Sequence, residues 1–180
     1  RYWRALPPKG KIGMLFGSWY TAPIIGRVFK TTRRSDLVQS IEEIRHFERM
    51  LADDGALVLK FWFHLSKDSQ RKRLKSLEKD PDTRWRVTET DWEYFKLYDR
   101  FVRVCEPFVR QTSTAQAPWI VVPGADARFR ALAVGRHLLA ALERTFVALP
   151  ETTARRAQVE APIKGILDTE LEETYVVGTG

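Results

Sequence analysis

Ala56-Leu57-Val58-Leu59-Lys60-Phe61-Trp62-Phe63-His64-Leu65 is a run dominated by Leu, Val and Phe, closed in front by Gly55 and behind by Ser66. A short continuous apolar run bounded by turn chemistry is the pattern of a strand buried on both faces. Its flanks agree. Upstream, Leu37, Ile41, Ile44 and Leu51 recur at helical spacing, with Phe47 and Met50 beside them. Glu42, Glu43, Arg45, Glu48 and Arg49 take the remaining surface, Ser35 is the expected N-cap and Gly55 the C-cap glycine. Downstream, Ser66 caps an expected helix Lys67–Lys79 with Asp68 in its first turn, stopped at Asp80-Pro81-Asp82 because Pro disfavours α geometry in the residue before it. The run is therefore expected to be a central strand between two helices.

Moving outward, Pro7-Pro8-Lys9-Gly10 is turn chemistry, and Lys11–Phe16 after it reads as a buried strand. Thr90–Arg110 reads as one long helix, with Trp92, Phe95, Tyr98, Phe101, Val102 and Cys105 on one side and Pro107 expected to kink or end it. Ala117–Val122 is a third expected strand, ended by Pro123-Gly124 and followed by a helix Ala127–Val147. Strands alternating with helices predict an α/β fold with a parallel sheet covered on both faces. Three strands are few for such a sheet, and the chain opens at Arg1 without an initiator Met, so further strands upstream and a longer parent protein are expected. Beyond Pro150 the periodicity stops, and residues 150–180, with Asp168, Glu170, Glu172 and Glu173, read as a linker or carboxyl-terminal arm.

Composition narrows the function. The chain has 180 residues and a formal net charge of +7, with 44% hydrophobic side chains, so it has the apolar content of a packed domain. The single Cys105 rules out a disulfide framework within the chain and suits a reducing cytoplasm, the expected location. The most apolar stretch is too short for a membrane span and is interrupted by Lys60 and His64. Most aromatics fall on periodic apolar faces, where they fill a core, so nucleic acid is not an expected partner.

In open parallel sheets ligands bind beyond the carboxyl ends of the strands. This points to Gly17–Thr21, Ser66–Lys67 and Pro123–Asp126. No G-x-x-x-x-G-K-[ST] phosphate cradle occurs, and the first expected strand ends Leu15-Phe16-Gly17 with no carboxylate to hold a metal. The strongest signal is basic. Lys67, Arg71, Lys72, Arg73, Lys75, Lys79, Arg84 and Arg86 stand against Asp68, Glu78, Asp80 and Asp82, eight charges against four, a net of +4. Such a run is either a solvated helix face or a surface whose guanidinium forks take phosphate oxygens. His46, His64 and His137 have no metal-ligand spacing, and Cys105 lies on an apolar helix side, where it packs rather than reacts.

Blocks in order along the chain carry a resemblance. Tyr2-Trp3-Arg4-Ala5-Leu6-Pro7 leading to Ser18-Trp19-Tyr20, then Lys60–Lys67, Asp80-Pro81 to Trp85-Arg86, and Thr112–Trp119 resemble the polyphosphate kinase 2 family, in register from Arg1 to about Leu142. The resemblance implies a P-loop kinase-like three-layer α/β/α sandwich with a parallel sheet and a helical lid, its amino-terminal strands and P-loop missing from this chain. It implies a partial domain over residues 1–149 with the lid at about 66–112. It also implies phosphate transfer between inorganic polyphosphate and nucleotides with Mg²⁺, and polyphosphate-binding roles for Lys60, Arg71, Arg73 and Arg86. Where the family reads Asp-Arg-Ser-Trp-Tyr-Asn-Arg, however, this chain reads Phe16-Gly17-Ser18-Trp19-Tyr20-Thr21-Ala22, and Leu77 replaces an expected lid arginine. An aromatic ring cannot hold Mg²⁺. The pattern resembles the degenerate amino-terminal half of a two-domain member that makes ADP from AMP. That implies a non-catalytic copy without metal or catalytic residues of its own, a second catalytic domain as partner, and a homo-oligomer. An active kinase with a rearranged site and a polyanion-binding module without catalysis are the alternatives.

Overall fold

The computed structural model describes residues 2–147; the connection expected over residues 150–180 lies outside them. The described residues divide into two compact units that meet between Ala125 and Asp126.

In the first unit a 3₁₀ turn (Tyr2–Ala5) leads through an extended segment to helices α1 (Thr21–Val28) and α2 (Arg34–Asp53). Strand β1 (Lys60–His64), helix α3 (Lys67–Lys79), a 3₁₀ turn (Arg84–Arg86), α4 (Glu89–Lys96), α5 (Tyr98–Thr112) and strand β2 (Trp119–Pro123) follow. The strands pair in parallel, Lys60 opposite Trp119 through to His64 opposite Pro123. The architecture is thus α/β with a parallel sheet, two-stranded among the described residues. In the second unit, α6 (Ala127–Val147) is the described element, and the Asp126 carboxylate accepts the Phe129 N–H at 2.9 Å across its first turn.

Ile24 and Val28 of α1, Ile41 and Ile44 of α2, and Cys105 and Phe108 of α5 form the core of the first unit, with Trp19, Tyr20, Trp62 and Phe101 packed around it. Cutting fully buried Phe108 to Ala removes a contact set worth about 3–5 kcal/mol. Helix α2 ends as expected at Gly55, whose φ of +87° only glycine adopts cheaply. The Gly55 N–H bonds the Ala52 carbonyl and the Ala56 N–H the Leu51 carbonyl, a Schellman closure. Helix α3 has the expected bounds, with Ser66 Oγ accepting the Ser69 N–H at 3.2 Å.

Several expectations are corrected. Lys11–Phe16 forms no strand: Ile12, Met14 and Phe16 are exposed, Phe16 to 61%. A strand needs a neighbour to complete its ladder, and among the described residues β1 and β2 pair only with each other. The central strand is shorter than Ala56–Leu65, because pairing runs only from Lys60 to His64. Its partner is likewise Trp119–Pro123 rather than Ala117–Val122. The N-cap of α2 is Arg33, not Ser35, since Asp36 reaches back to the Arg33 N–H at 2.8 Å. The long helix breaks at Leu97 rather than at Pro107. The Leu97 N–H is shared between the carbonyls of Glu93 and Tyr94, which tightens the turn. Pro107 is carried inside α5 because buried Cys105, Phe108 and Thr112 hold the helix on the core around it. Glu48, grouped with the solvent-facing charges by its type, is fully buried.

Candidate functional site

The carboxyl edge of the sheet forms where β1 and β2 end in register at His64 and Pro123. The Gly124 N–H donates to the His64 carbonyl at 2.7 Å, and a Cβ at Gly124 would lie 3.0 Å from that oxygen, so the close approach requires glycine. An open cleft of about 290 Å³ lies at this edge, lined by His64, Ser66, Ser69, Val121 and Gly124 among others. This is where the strand-end rule places a ligand, and α3 starts from it with its amide-rich end.

The basic run leaves this edge along α3. Lys67, Arg71, Lys75 and Lys79 follow one another at four-residue spacing, which sets them along one side of the helix. The helix is anchored rather than loose. Lys67 Nζ bonds Asp99 at 2.5 Å and lies over the Tyr98 ring, while the Tyr98 hydroxyl donates to the Leu65 carbonyl at 2.8 Å. The Arg71 guanidinium lies 5.3 Å from the centre of the Phe95 ring, and Trp92 Nε1 donates to Glu78 at 3.2 Å. Helix α3 packs on the Arg84–Arg86 turn and on α4, and Thr83 Oγ1 donates to the carbonyl of Leu77. Arg73 and Arg86 are half-buried and engaged with neighbours.

The structure therefore gathers three of the four expected phosphate-binding residues, Arg71, Arg73 and Arg86, on α3 and the turn that packs against it. Lys60 stands elsewhere. It opens β1, is 4% exposed, and its ammonium donates to Glu48 Oε2 at 2.8 Å and to the Thr112 carbonyl at 2.7 Å. The rings of Tyr20 and Trp119 face the same ammonium at 5.6 and 5.0 Å. Glu48 Oε1 accepts Trp19 Nε1 at 3.2 Å, so one buried carboxylate ties α2, β1 and the Trp19 loop together. Burial raises the Glu48 pKa above the ordinary carboxyl range despite Lys60, and burial lowers that of Lys60 despite Glu48. Sequence reasoning missed Glu48, although it lies seven residues after Ile41 and four after Ile44, on the apolar stripe itself.

At the position where the resemblance expects a metal-holding acid, Phe16 offers an exposed ring and Gly17, at φ +61°, a bare backbone. Neither supplies the carboxylate oxygen that Mg²⁺ takes, so these residues do not fit the ion. No group of three or more His, Cys, Asp or Glu side chains among the described residues could hold a metal. Cys105 is buried, which pushes its thiol pKa up to about 12.

Comparison with known proteins shows the family. The family model of polyphosphate kinase 2 matches residues 1–149. The polyphosphate:AMP phosphotransferase of Pseudomonas aeruginosa is 47% identical over 168 residues, covering 93% of this chain and 34% of its own length. The AMP/ADP-polyphosphate phosphotransferase of Meiothermus ruber is 35% identical over 163 residues, 88% of this chain and 61% of its own. The crystal structure of polyphosphate kinase 2 from Arthrobacter aurescens TC1 superposes with a TM-score of 0.77 at 30% identity, covering 88% of this chain and 58% of that one. The chain spans about a third of the length of the polyphosphate:AMP phosphotransferases it matches. With residues 1–149 matched by the family model, the chain belongs to the polyphosphate kinase 2 family.

Proposed function

We propose that this chain is one domain of a polyphosphate-dependent nucleotide phosphotransferase that makes ADP from AMP, and that this copy docks polyphosphate without transferring phosphate itself. In this reading the fold is a partial P-loop kinase-like α/β/α sandwich over residues 1–149, with α3 to α5 as its lid. A second domain carries the chemistry and any Mg²⁺, and the parent protein self-associates. The relatives' activities support the substrate class.

One contrast carries the reading: Trp19 and Tyr20 are held in the packed scaffold, while Phe16 and Gly17 just before them lack the acid on which phosphoryl transfer depends. What stays is charge. The basic excess of residues 67–86 draws a polyanion, and Arg71, Arg73 and Arg86 add guanidinium forks that bond phosphate oxygens in pairs. Lys60 is assigned a different role, holding the sheet to α2 and α5 rather than reaching a phosphate.

Isothermal titration of the 180-residue chain with long-chain polyphosphate tests the docking role. Binding is expected to weaken with salt, and the triple variant Arg71→Gln/Arg73→Gln/Arg86→Gln should lose about tenfold or more in affinity, since each charge-assisted hydrogen bond is worth about 1.5–3 kcal/mol. Unchanged affinity in the folded triple variant would remove the lid from the proposal.

A further inference from the structure

Helix α6 leaves an apolar stripe in water. Phe129, Leu132 and Leu139 are 49%, 58% and 49% exposed, and a contiguous apolar patch of this kind marks a contact surface more often than scattered single residues do. Leu132 and Leu139 lie seven residues apart on one side of the helix, and exposed Arg128 and Glu143 extend that side by four residues in each direction. The spacing along the stripe is therefore 4, 7, 4, symmetric about the bond between Gly135 and Arg136. Phe129 and exposed Arg136 stand on one flank of it.

Two features of the stripe are not explained by the helix itself. Its charges run against the helix dipole: Arg128 is in the first turn, where there is no acid, and Glu143 stands toward the carboxyl end. Among the described residues neither is in an ion pair. Gly135, at the midpoint, weakens a helix interior relative to alanine, yet a Cβ there would meet nothing among the described residues. No packing within them calls for a glycine.

We propose that this stripe is a dimerisation surface whose partner is a second copy of the chain, the two α6 helices lying antiparallel about a twofold axis at Gly135-Arg136. Leu132 of each copy then meets Leu139 of the other, and Arg128 of each meets Glu143 of the other, so every contact forms twice. The glycines at the axis let the two backbones approach, and each positive helix end lies beside a negative one. A parallel pairing would set Arg128 against Arg128 and Glu143 against Glu143, which the same charges oppose. One helix from each copy makes an interface in the weak, transient size class below about 1,200 Å². The inference rests on the self-association proposed above and gives it a surface.

Sedimentation equilibrium of the 180-residue chain tests it, with paired charge reversals. The unaltered chain is expected to show a concentration-dependent equilibrium between monomer and dimer. Leu132→Gln/Leu139→Gln changes two exposed side chains, should keep the circular dichroism of the unaltered chain, and should sediment as monomer. Arg128→Glu and Glu143→Arg should each weaken dimerisation about tenfold, since each sets like charges together at both ends of the pair. An equimolar mixture of these two variants should regain the unaltered affinity as a heterodimer, because one contact keeps its native charges and the other has both reversed. If the unaltered chain is monomeric throughout, the inference falls together with self-association through this chain. If a dimer forms and the α6 variants leave it unchanged, self-association stands and the α6 surface is overturned. Weakening by both single reversals without recovery in the mixture would overturn the antiparallel arrangement.

Discussion

Glu48 and Lys60 illustrate how a buried ion pair can be costly to break without adding much to stability. Burial moves both pKa values against the charged forms, so desolvation outweighs their mutual attraction in each direction. Removing one partner should therefore cost far more than removing both. Lys60→Met is expected to lose about 3–5 kcal/mol by leaving Glu48 buried and unpaired, and Glu48→Leu/Lys60→Met should recover most of it, measured as a double-mutant cycle in urea. The pH dependence has a definite sign. With Lys60 gone, Glu48 keeps the burial that raises its pKa and loses the partner that lowers it. A folded pKa above the unfolded value of about 4.3 gives stability that is complete below that value and drains as pH rises through the folded pKa. Lys60→Met should thus become less stable between pH 4.3 and neutrality relative to the parent, and a flat difference would contradict this. At Cys105, burial holds the thiol protonated at ordinary pH. Its reaction with a disulfide reagent at pH 8 should follow the unfolding rate, and immediate labelling of the native chain would contradict the packing described.

At the scale of elements, α3 was the most legible in the sequence, because its start and stop signals are local. Ser66 before Lys67 and Pro81 after Asp80 set its bounds without tertiary help. Ser66→Ala should cost about 1 kcal/mol, a fall of about 2–4 °C in Tm, and no change would mean that the Ser69 N–H finds water instead. Elements whose existence depends on distant partners were harder to read. Lys11–Phe16 has strand composition but no neighbour among the described residues, and the break at Leu97 comes from a shared backbone bond that leaves no mark in side-chain type. The site was legible to the same degree. Arg71, Arg73 and Arg86 are grouped because they are close in sequence on one helix and its following turn. Lys60 stands apart from them, and its partners, Glu48 and the Thr112 carbonyl, are 12 and 52 residues away, too distant to be read from its neighbours in sequence.

Over the whole molecule, the charge of +7 has an address. Eight cations on residues 67–86 stand against four acids, a net of +4. No helix among the described residues is long and apolar enough to cross a membrane. The central proposal is that phosphate binding persists here without phosphoryl transfer, and turnover tests it most directly. ADP formation from AMP and polyphosphate by the 180-residue chain should be measured with and without Mg²⁺, with a family member that keeps the Asp-Arg-Ser-Trp-Tyr sequence as the positive control. ADP at the level of the protein-free background is the expected result; sustained Mg²⁺-dependent turnover by this chain would contradict the proposal.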